Sequence, residues 1–190
     1  YPFISTNDLK IKKYCDSNGF KNNYLRPEKL SKSASNVVDA VLHGVMWLKK
    51  NKGIEFDAIL LLQPTSPLRY LEEIKTAIRL FKKKKLISMA SVSPIKEHPY
   101  ETIEIIKNKK WNFLRETKKK IYRRQQFSKN FYYIDGSFYL LKLSFLKKNK
   151  LFIKKKVTTF FKLKRSWPVD IDSHEDLAVA SAMLKIKKND

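Results

Sequence analysis

Two carboxylates stand two positions apart near the end of the chain, at Asp170 and Asp172. If this stretch ends a β-strand, residues i and i+2 point to the same side, so both carboxylates share a face and Ile171 is buried on the other. Carboxylates that close repel, which raises the pKa of one of them unless a cation lies between them. Mg²⁺ is held by one or two carboxylates together with phosphate oxygens of a substrate. The spacing therefore indicates a Mg²⁺ site for a phosphate-bearing substrate, and the alternative is one helix cap beside one surface charge.

A second cluster of polar side chains directly follows the apolar residues 56–62. Two prolines fix the backbone of this segment, which limits how far its side chains can move. The side chains that can form hydrogen bonds are Gln63, Thr65, Ser66 and Arg69. A stiff polar segment at the end of a strand is typical of a ligand-binding rim, and the alternative is a proline-rich turn that caps the next helix.

A third cluster contains Arg123, Arg124, Gln125 and Gln126, and the residues 131–136 follow it. Paired arginines with amide neighbours suit a carboxylate or a phosphate. An exposed basic loop has the same composition, so this pattern alone leaves both interpretations open.

Histidine and cysteine indicate no further site. The single Cys15 excludes an intramolecular disulfide and a multi-cysteine zinc site, and it favours a reducing, cytoplasmic setting. None of His43, His98 and His174 has the spacing to another ligand that a catalytic zinc site requires.

Strands and helices alternate along the chain and must position these clusters. Apolar residues that recur every three or four positions predict helices at 35–50, at 71–81 and after Asp172, where Ser173 and Asp176 form a capping box. Short apolar runs predict buried strands at 56–62, 86–92, 137–143 and 157–163, with a hairpin formed by 102–107 and 111–114. This alternation predicts an α/β fold, in which ligands bind beyond the carboxyl ends of the strands.

The composition excludes several classes of protein. A chain of 190 residues that is 43% hydrophobic and 13% aromatic forms one packed domain rather than a disordered segment. Its apolar runs are of strand length, well short of the roughly 20 residues that a membrane span requires. The net charge of +23 is nearly all lysine, since only 7 of the 41 basic residues are arginine. This favours a solvated surface, with attraction to an anionic partner as the alternative, and no nucleic-acid recognition motif is present.

The residues 60–69, Leu-Leu-Leu-Gln-Pro-Thr-Ser-Pro-Leu-Arg, resemble the hallmark of the acylneuraminate cytidylyltransferases, the CMP-sialic acid synthetases. The resemblance continues in order over essentially the whole chain. The other matching segments are 5–8, Arg26-Pro27 with Leu30, 38–43, 124–126, 135–139 and 170–172 with Asp176-Leu177. Six motifs in the same order, with the Arg-Pro segment and 38–43 counted as one, make coincidence improbable.

This resemblance implies a fold, a reaction and partners. The fold would be a three-layer Rossmann-like nucleotidyltransferase domain with a mostly parallel central sheet and a small dimerisation excursion at about 144–163. The enzyme would transfer CMP from CTP to a nine-carbon 2-keto sugar acid and release pyrophosphate, with Mg²⁺ as its cofactor. It would work in the cytoplasm as a homodimer, without a membrane partner. Two alternatives are an inactive truncated remnant of such an enzyme and a lysine-rich nucleic-acid binding protein.

The resemblance also implies roles for individual residues. Asp170 and Asp172 would hold Mg²⁺ on the CTP phosphates and carry the catalysis. The residues that would bind the substrates are Arg26 on the cytosine side, Gln63, Thr65 and Ser66 at the sugar, Arg124 and Gln125 at its acidic group, and Asp135 with Gly136 near the sugar pocket.

The sequence departs from the family pattern at several positions. The match starts at the family's second strand, so we expect a preceding strand–loop–helix unit, with the Gly-Ser-Lys loop that cradles the CTP phosphates, of roughly 30–40 residues. Ser33, Ser128 and Asp135 stand where the family commonly has Asp, Pro and Asn. The last two lie near the sugar pocket, so sialic, legionaminic and pseudaminic acids all remain possible, with the bacterial sugars favoured.

Overall fold

A computed structural model describes residues 1–95, 97–106, 110–116, 123, 126–127, 131–164 and 169–187, and the side chains of 186 and 187 are not described. The helices in these ranges are α1 (Leu9–Ser17), α2 (Val37–Lys52), α3 (Leu71–Lys83), α4 (Leu143–Asn149) and α5 (His174–Lys187). The strands are β1 (Ala58–Leu61), β2 (Ser88–Pro94), β3 (Ile103–Ile105), β4 (Trp111–Phe113), β5 (Tyr132–Lys142) and β6 (Thr158–Lys162). The α/β class predicted from the sequence is confirmed.

The main sheet in the described part of the chain has the strand order β1-β5-β2-β6. β5 is antiparallel to both β1 and β2, whereas β2 and β6 are parallel. The prediction of a mostly parallel sheet is therefore wrong for these strands, although β1, β2 and β6 all point the same way. The described part of the connection from β2 to β5 carries the antiparallel hairpin β3–β4, and β5 returns in the opposite direction.

Two hydrophobic clusters form the core, one on each face of the sheet. Leu141 of β5 packs with α2 and α4, while its neighbour Leu140 packs with α3. Successive residues of a strand point to opposite faces, so the two leucines assign these helices to opposite sides. The sheet is thus covered on both faces.

Local signals account for the helices. α2 begins after Asn36, whose side chain accepts a hydrogen bond from the Val38 amide at 2.8 Å, and it ends at Gly53 in the left-handed conformation. The predicted helices at 35–50 and 71–81 are confirmed to within about two residues. Within the described chain, no helix has both the length and the apolar character needed to cross a membrane.

The capping box that opens α5 is confirmed. The Asp176 carboxylate accepts bonds from the Ser173 amide at 3.0 Å and the Ser173 hydroxyl at 2.9 Å, and the Asp176 amide donates to that hydroxyl at 3.2 Å. The apolar residues Leu177, Ala180 and Leu184 follow one another on one face of α5. Ala180 is buried, but both leucines are about half exposed, because no described element covers that part of the helix.

The predicted hairpin is confirmed as β3 and β4, which form a separate two-stranded sheet. The residues 144–163, predicted as a dimerisation excursion, include most of α4 and all of β6. Phe145 and Leu146 are buried in the core, and β6 pairs with β2 over its whole length. This stretch therefore belongs to the main body, and its predicted part in dimerisation stays a prediction.

Candidate functional site

The loop that follows β1 is held by its own hydrogen bonds. The Gln63 carbonyl accepts bonds from the Ser66 amide at 3.2 Å and from the Arg69 guanidinium. Ser66 is 3% exposed, and its hydroxyl donates to the Asp135 carbonyl at 3.4 Å. The segment that the sequence singled out as a stiff polar rim therefore folds back onto β5.

β5 opposes this loop with an irregularity in its backbone. Ala90 pairs with Tyr139 but Val92 pairs with Ile134, so the register shifts between these pairs and β5 carries a bulge. Gly136 lies within the bulge at φ +69°, a conformation that favours glycine. The bulge brings the backbone of β5 toward the loop.

The buried carboxylate of Asp135 fixes that bulge. It is 4% exposed and accepts hydrogen bonds from the Ser91 hydroxyl at 2.5 Å, the Ser93 hydroxyl at 2.6 Å and the Ser137 amide at 2.9 Å. A buried charge is tolerated where it is paired and hydrogen-bonded, as here. Its oxygens are thus engaged inside the protein, at the base of the site.

Gln63 and Gly136 lie in close approach. A Cβ added to Gly136 would come within 2.8 Å of the Gln63 side-chain oxygen and 3.6 Å of the Ser66 hydroxyl. The structure therefore brings Gln63, Ser66, Asp135 and Gly136 together, all four of which the sequence predicted as substrate-binding residues. Their contacts with a substrate remain a prediction.

The two carboxylates at Asp170 and Asp172 are joined to the same loop through backbone. The Ile171 amide donates to the Thr65 carbonyl at 2.8 Å, which places this pair next to the rim. Residues 169–172 are not part of a strand, so the predicted strand end is wrong, although Ile171 is half-buried and both aspartates are exposed. The Asp172 amide also donates to the Asp176 carboxylate at 3.1 Å, so the capping box of α5 fixes the backbone here.

Negative charges near the end of the sheet affect two tyrosines of β5. Burial raises the pKa of Tyr133 and of Tyr139, and the negative charges of Asp135 and then Asp170 raise both further. Hydrogen bonds, first that from the Ser173 hydroxyl, lower the pKa of Asp176. Asp176 therefore stays ionised as the cap of α5.

The carboxylates of Asp170 and Asp172 fit a Mg²⁺ ion only if substrate oxygens complete its coordination. Among the described residues, no three histidine, cysteine or carboxylate side chains lie close enough together to hold a metal ion. Asp170 and Asp172 offer two exposed carboxylates, and neither side chain makes a hydrogen bond or an ion pair in this part of the chain. Mg²⁺ sites commonly consist of one or two carboxylates completed by substrate phosphates and water, so this pair is compatible with the predicted Mg²⁺.

Arg26 belongs to a separate polar group. Its Nε donates to the Ser31 hydroxyl at 2.9 Å, and its terminal nitrogen donates to the Asn7 side chain at 3.4 Å. The Arg26 amide donates to the Thr6 carbonyl at 2.8 Å, which joins two segments of the resemblance. These bonds hold Arg26 in place without joining it to Gln63.

Arg124 and Gln125, predicted to bind the acidic sugar, lie outside the described residues. Of their described neighbours, Gln126 donates through its amide to the Arg123 carbonyl at 2.9 Å. The prediction for this motif stays open.

The sequence does not identify Ser91, Ser93 or Tyr133 as residues near the site. The signal for the serines was their position in a strand predicted as buried, because a buried hydroxyl needs a hydrogen-bond partner. That partner, Asp135, lies more than forty positions away along the chain, and nothing local identifies it. Tyr133 lies in the segment 131–136 that precedes the predicted strand 137–143, and no pattern in the sequence identifies it as a residue of the site.

Comparison with known proteins tests the resemblance. The chain matches no protein-family model. It is similar to the CMP-N,N'-diacetyllegionaminic acid synthase of Legionella pneumophila, with 27% identity over 188 residues, which is 97% of this chain and 78% of that protein. The similarity runs over nearly all of the chain. The chain is accordingly related to the CMP-nonulosonic acid synthetases.

Proposed function

We propose that this protein transfers CMP from CTP to a nine-carbon 2-keto sugar acid and releases pyrophosphate. The observation that carries the proposal is the convergence of the Gln63–Ser66 loop, the Gly136 bulge and the Asp170–Asp172 pair at one end of the sheet. A polar rim beside two uncommitted carboxylates suits a polar sugar and a nucleoside triphosphate. The similarity to a CMP-sugar acid synthase supports the same reaction class.

We also propose that the chain folds as a three-layer nucleotidyltransferase domain. The packing of α2 and α4 on one face and α3 on the other supports three layers. The strands β1, β2 and β6 run in one direction, and the candidate site follows the carboxyl end of β1. This is the edge at which α/β sheets bind ligands.

The proposed reaction is an in-line displacement at phosphorus. The anomeric oxygen of the sugar acid forms a bond to the α-phosphorus and its proton passes to water, while the bond from the α-phosphorus to the oxygen that bridges to the β-phosphate breaks and pyrophosphate leaves. Phosphoryl transfer of this kind depends mainly on positioning and charge neutralisation. Asp170 and Asp172 would hold Mg²⁺, which supplies charge neutralisation on the phosphates when bound. Gln63 would orient the sugar, and Thr65 and Ser66 would shape its pocket.

Substrate screening tests the proposal. We expect the full-length protein to release pyrophosphate from CTP only when a nonulosonic acid is present, and to stop when the divalent cation is chelated. A panel of sialic, legionaminic and pseudaminic acids identifies the sugar, and ATP, GTP and UTP serve as controls for the base. A full-length protein that binds CTP but turns over none of these sugars would support the alternative of an inactive relative.

The proposed enzyme is a cytoplasmic homodimer, and the exposed apolar residues suggest where the subunits meet. β3 and β4 form an isolated hairpin, which is marginally stable in water without a partner. Its exposed apolar side chains are Ile103, Ile105, Ile106, Trp111, Phe113 and Leu114. Such a concentration of apolar surface marks an interaction site. The hairpin is therefore a better interface than 144–163, where α4 is already buried against the core.

Two charge-introducing variants distinguish the interfaces. Ile105 and Trp111 are opposite each other in the hairpin and are 78% and 53% exposed. We expect Ile105→Lys with Trp111→Lys to convert the dimer to a monomer in sedimentation velocity, because burying two ammonium groups is costly. The control Phe160→Lys, on β6 within 144–163, should leave the dimer intact. A dimer lost only in the Phe160→Lys protein would place the interface in 144–163 instead.

A further inference from the structure

Arg69 connects the two halves of the candidate sugar site. Its Nε donates to the Ser137 carbonyl in the bulge of β5 at 2.6 Å, and its terminal nitrogen donates to the Gln63 carbonyl at the end of β1. A guanidinium is planar and presents its donors in a fixed fork, so two simultaneous bonds fix the relative position of the two acceptors. The side chain is long and half-buried, and it is therefore held along its length.

The charge of Arg69 is compensated by Asp135. Burial lowers the pKa of the Arg69 guanidinium, and the negative charge of Asp135 opposes that effect. Asp135 in turn is engaged by Ser91 and Ser93 of β2. A half-buried cation and a buried anion stabilise each other where further hydrogen bonds complete both groups. The bulge is thus held from β2 by Asp135 and from the β1 loop by Arg69.

The position of Gln63 depends on both connections. Its carbonyl is held by Arg69, and its side-chain oxygen lies where a Gly136 Cβ would be within 2.8 Å. A shift of either the loop or the bulge moves this amide relative to the pocket. Misplacement of a substrate-positioning group by about 1 Å can cost about a hundredfold in rate.

We infer that Arg69, supported by Asp135, is a positioning residue that sets the place of the Gln63 side chain, and hence the enzyme's selection of its sugar acid, by joining the Gln63 and Ser137 carbonyls. The inference rests on the proposed function for its substrate. It gives Asp135 a role beneath the site, where its hydrogen bonds to three protein donors place it, rather than in direct contact with the sugar.

Arg69→Lys in the full-length protein tests this inference. Lysine keeps the positive charge beside Asp135 but cannot present the planar fork that joins two carbonyls. We expect KM for the sugar acid to rise about tenfold or more, while KM for CTP stays within about twofold. Arg79→Lys on α3 is the matched control, because Arg79 is exposed and its guanidinium donates to the Thr76 hydroxyl on the same helix. A protein in which Arg69→Lys lowers only thermal stability and leaves both KM values unchanged would overturn the inference.

A second variant and a second readout keep the test decisive. Should Arg69→Lys fail to fold, the double variant Arg69→Met, Asp135→Asn removes both buried charges at similar volume and is expected to fold and to show the same KM change. The side-chain amide signals of Gln63 in an NMR spectrum of protein labelled at glutamine are expected to shift in either variant. The NMR readout does not depend on turnover. If the wild-type protein is inactive, the proposed function is rejected, and the NMR shift still tests whether Arg69 positions Gln63. Unmoved Gln63 signals would reject the role of Arg69 whatever the activity.

Discussion

Asp172→Asn is expected to abolish Mg²⁺-dependent release of pyrophosphate from CTP in the full-length protein. The substitution keeps the shape of the side chain and removes its charge, and the Asp172 side chain is exposed. The fold should therefore survive, because the backbone bond from the Asp172 amide to Asp176 remains. Charge stabilisation by a bound metal is worth several kcal/mol, and each 1.4 kcal/mol is about tenfold in rate, so we expect a loss of about a hundredfold or more.

The control for this prediction lies on the first turn of the next helix. Glu175→Gln also removes an exposed negative charge, three residues from Asp172, but at a position the proposal gives no metal role. A Mg²⁺ titration of pyrophosphate release compares the two variants, and melting temperatures verify that both are folded. Near-normal turnover in Asp172→Asn, at the same Mg²⁺ concentration as the wild type, would show that the metal assignment is wrong.

Local signals explain the parts of the fold that the sequence predicts well. The caps of α2 and α5 involve residues within three or four positions of each other, so the pattern that forms them is visible in the sequence. Features of this kind need no knowledge of the rest of the chain.

The direction of β5 could not be predicted from local sequence patterns. Its predicted part, 137–143, is an apolar run buried on both faces, and that pattern is the same whether its neighbours are parallel or antiparallel. The direction follows from the connection between β2 and β5, whose described residues include the hairpin β3–β4. Strand direction is therefore a property of the connection, and the family resemblance led to the wrong expectation for it.

The exposure of Leu177 and Leu184 on α5 also could not be predicted from local patterns. Apolar spacing predicts which side of a helix is apolar, but it does not identify what covers that side. Ala180 is covered by the domain, and Leu177 is half exposed although it lies on the same stripe. The contact between Gln63 and Gly136 is likewise invisible to periodicity, because it depends on a bulge that joins residues more than seventy positions apart.

Gly136→Ala is the second variant with a large expected effect, and Gly53→Ala is its matched control. The two glycines have nearly the same backbone conformation, with φ +69° at Gly136 and φ +65° at Gly53. Alanine in the left-handed region costs about 1 to 2 kcal/mol, so both variants should lose a similar amount of free energy of unfolding. The surroundings differ, because a Cβ at Gly53 meets no atom within 4 Å, whereas one at Gly136 comes within 2.8 Å of the Gln63 side chain.

This difference separates backbone strain from displacement of Gln63. The atom that a Gly136 Cβ would meet is the end of a flexible side chain, so the protein folds and Gln63 moves away from the pocket. We expect kcat/KM for the sugar acid to fall about a hundredfold in Gly136→Ala and to stay near the wild-type value in Gly53→Ala. In a Gln63→Ala background the contact is already gone, and adding Gly136→Ala should then change kcat/KM little, which is the non-additivity of coupled neighbours. Equal activity in the two single glycine variants would instead mean that the place of the Gln63 side chain does not matter for sugar binding.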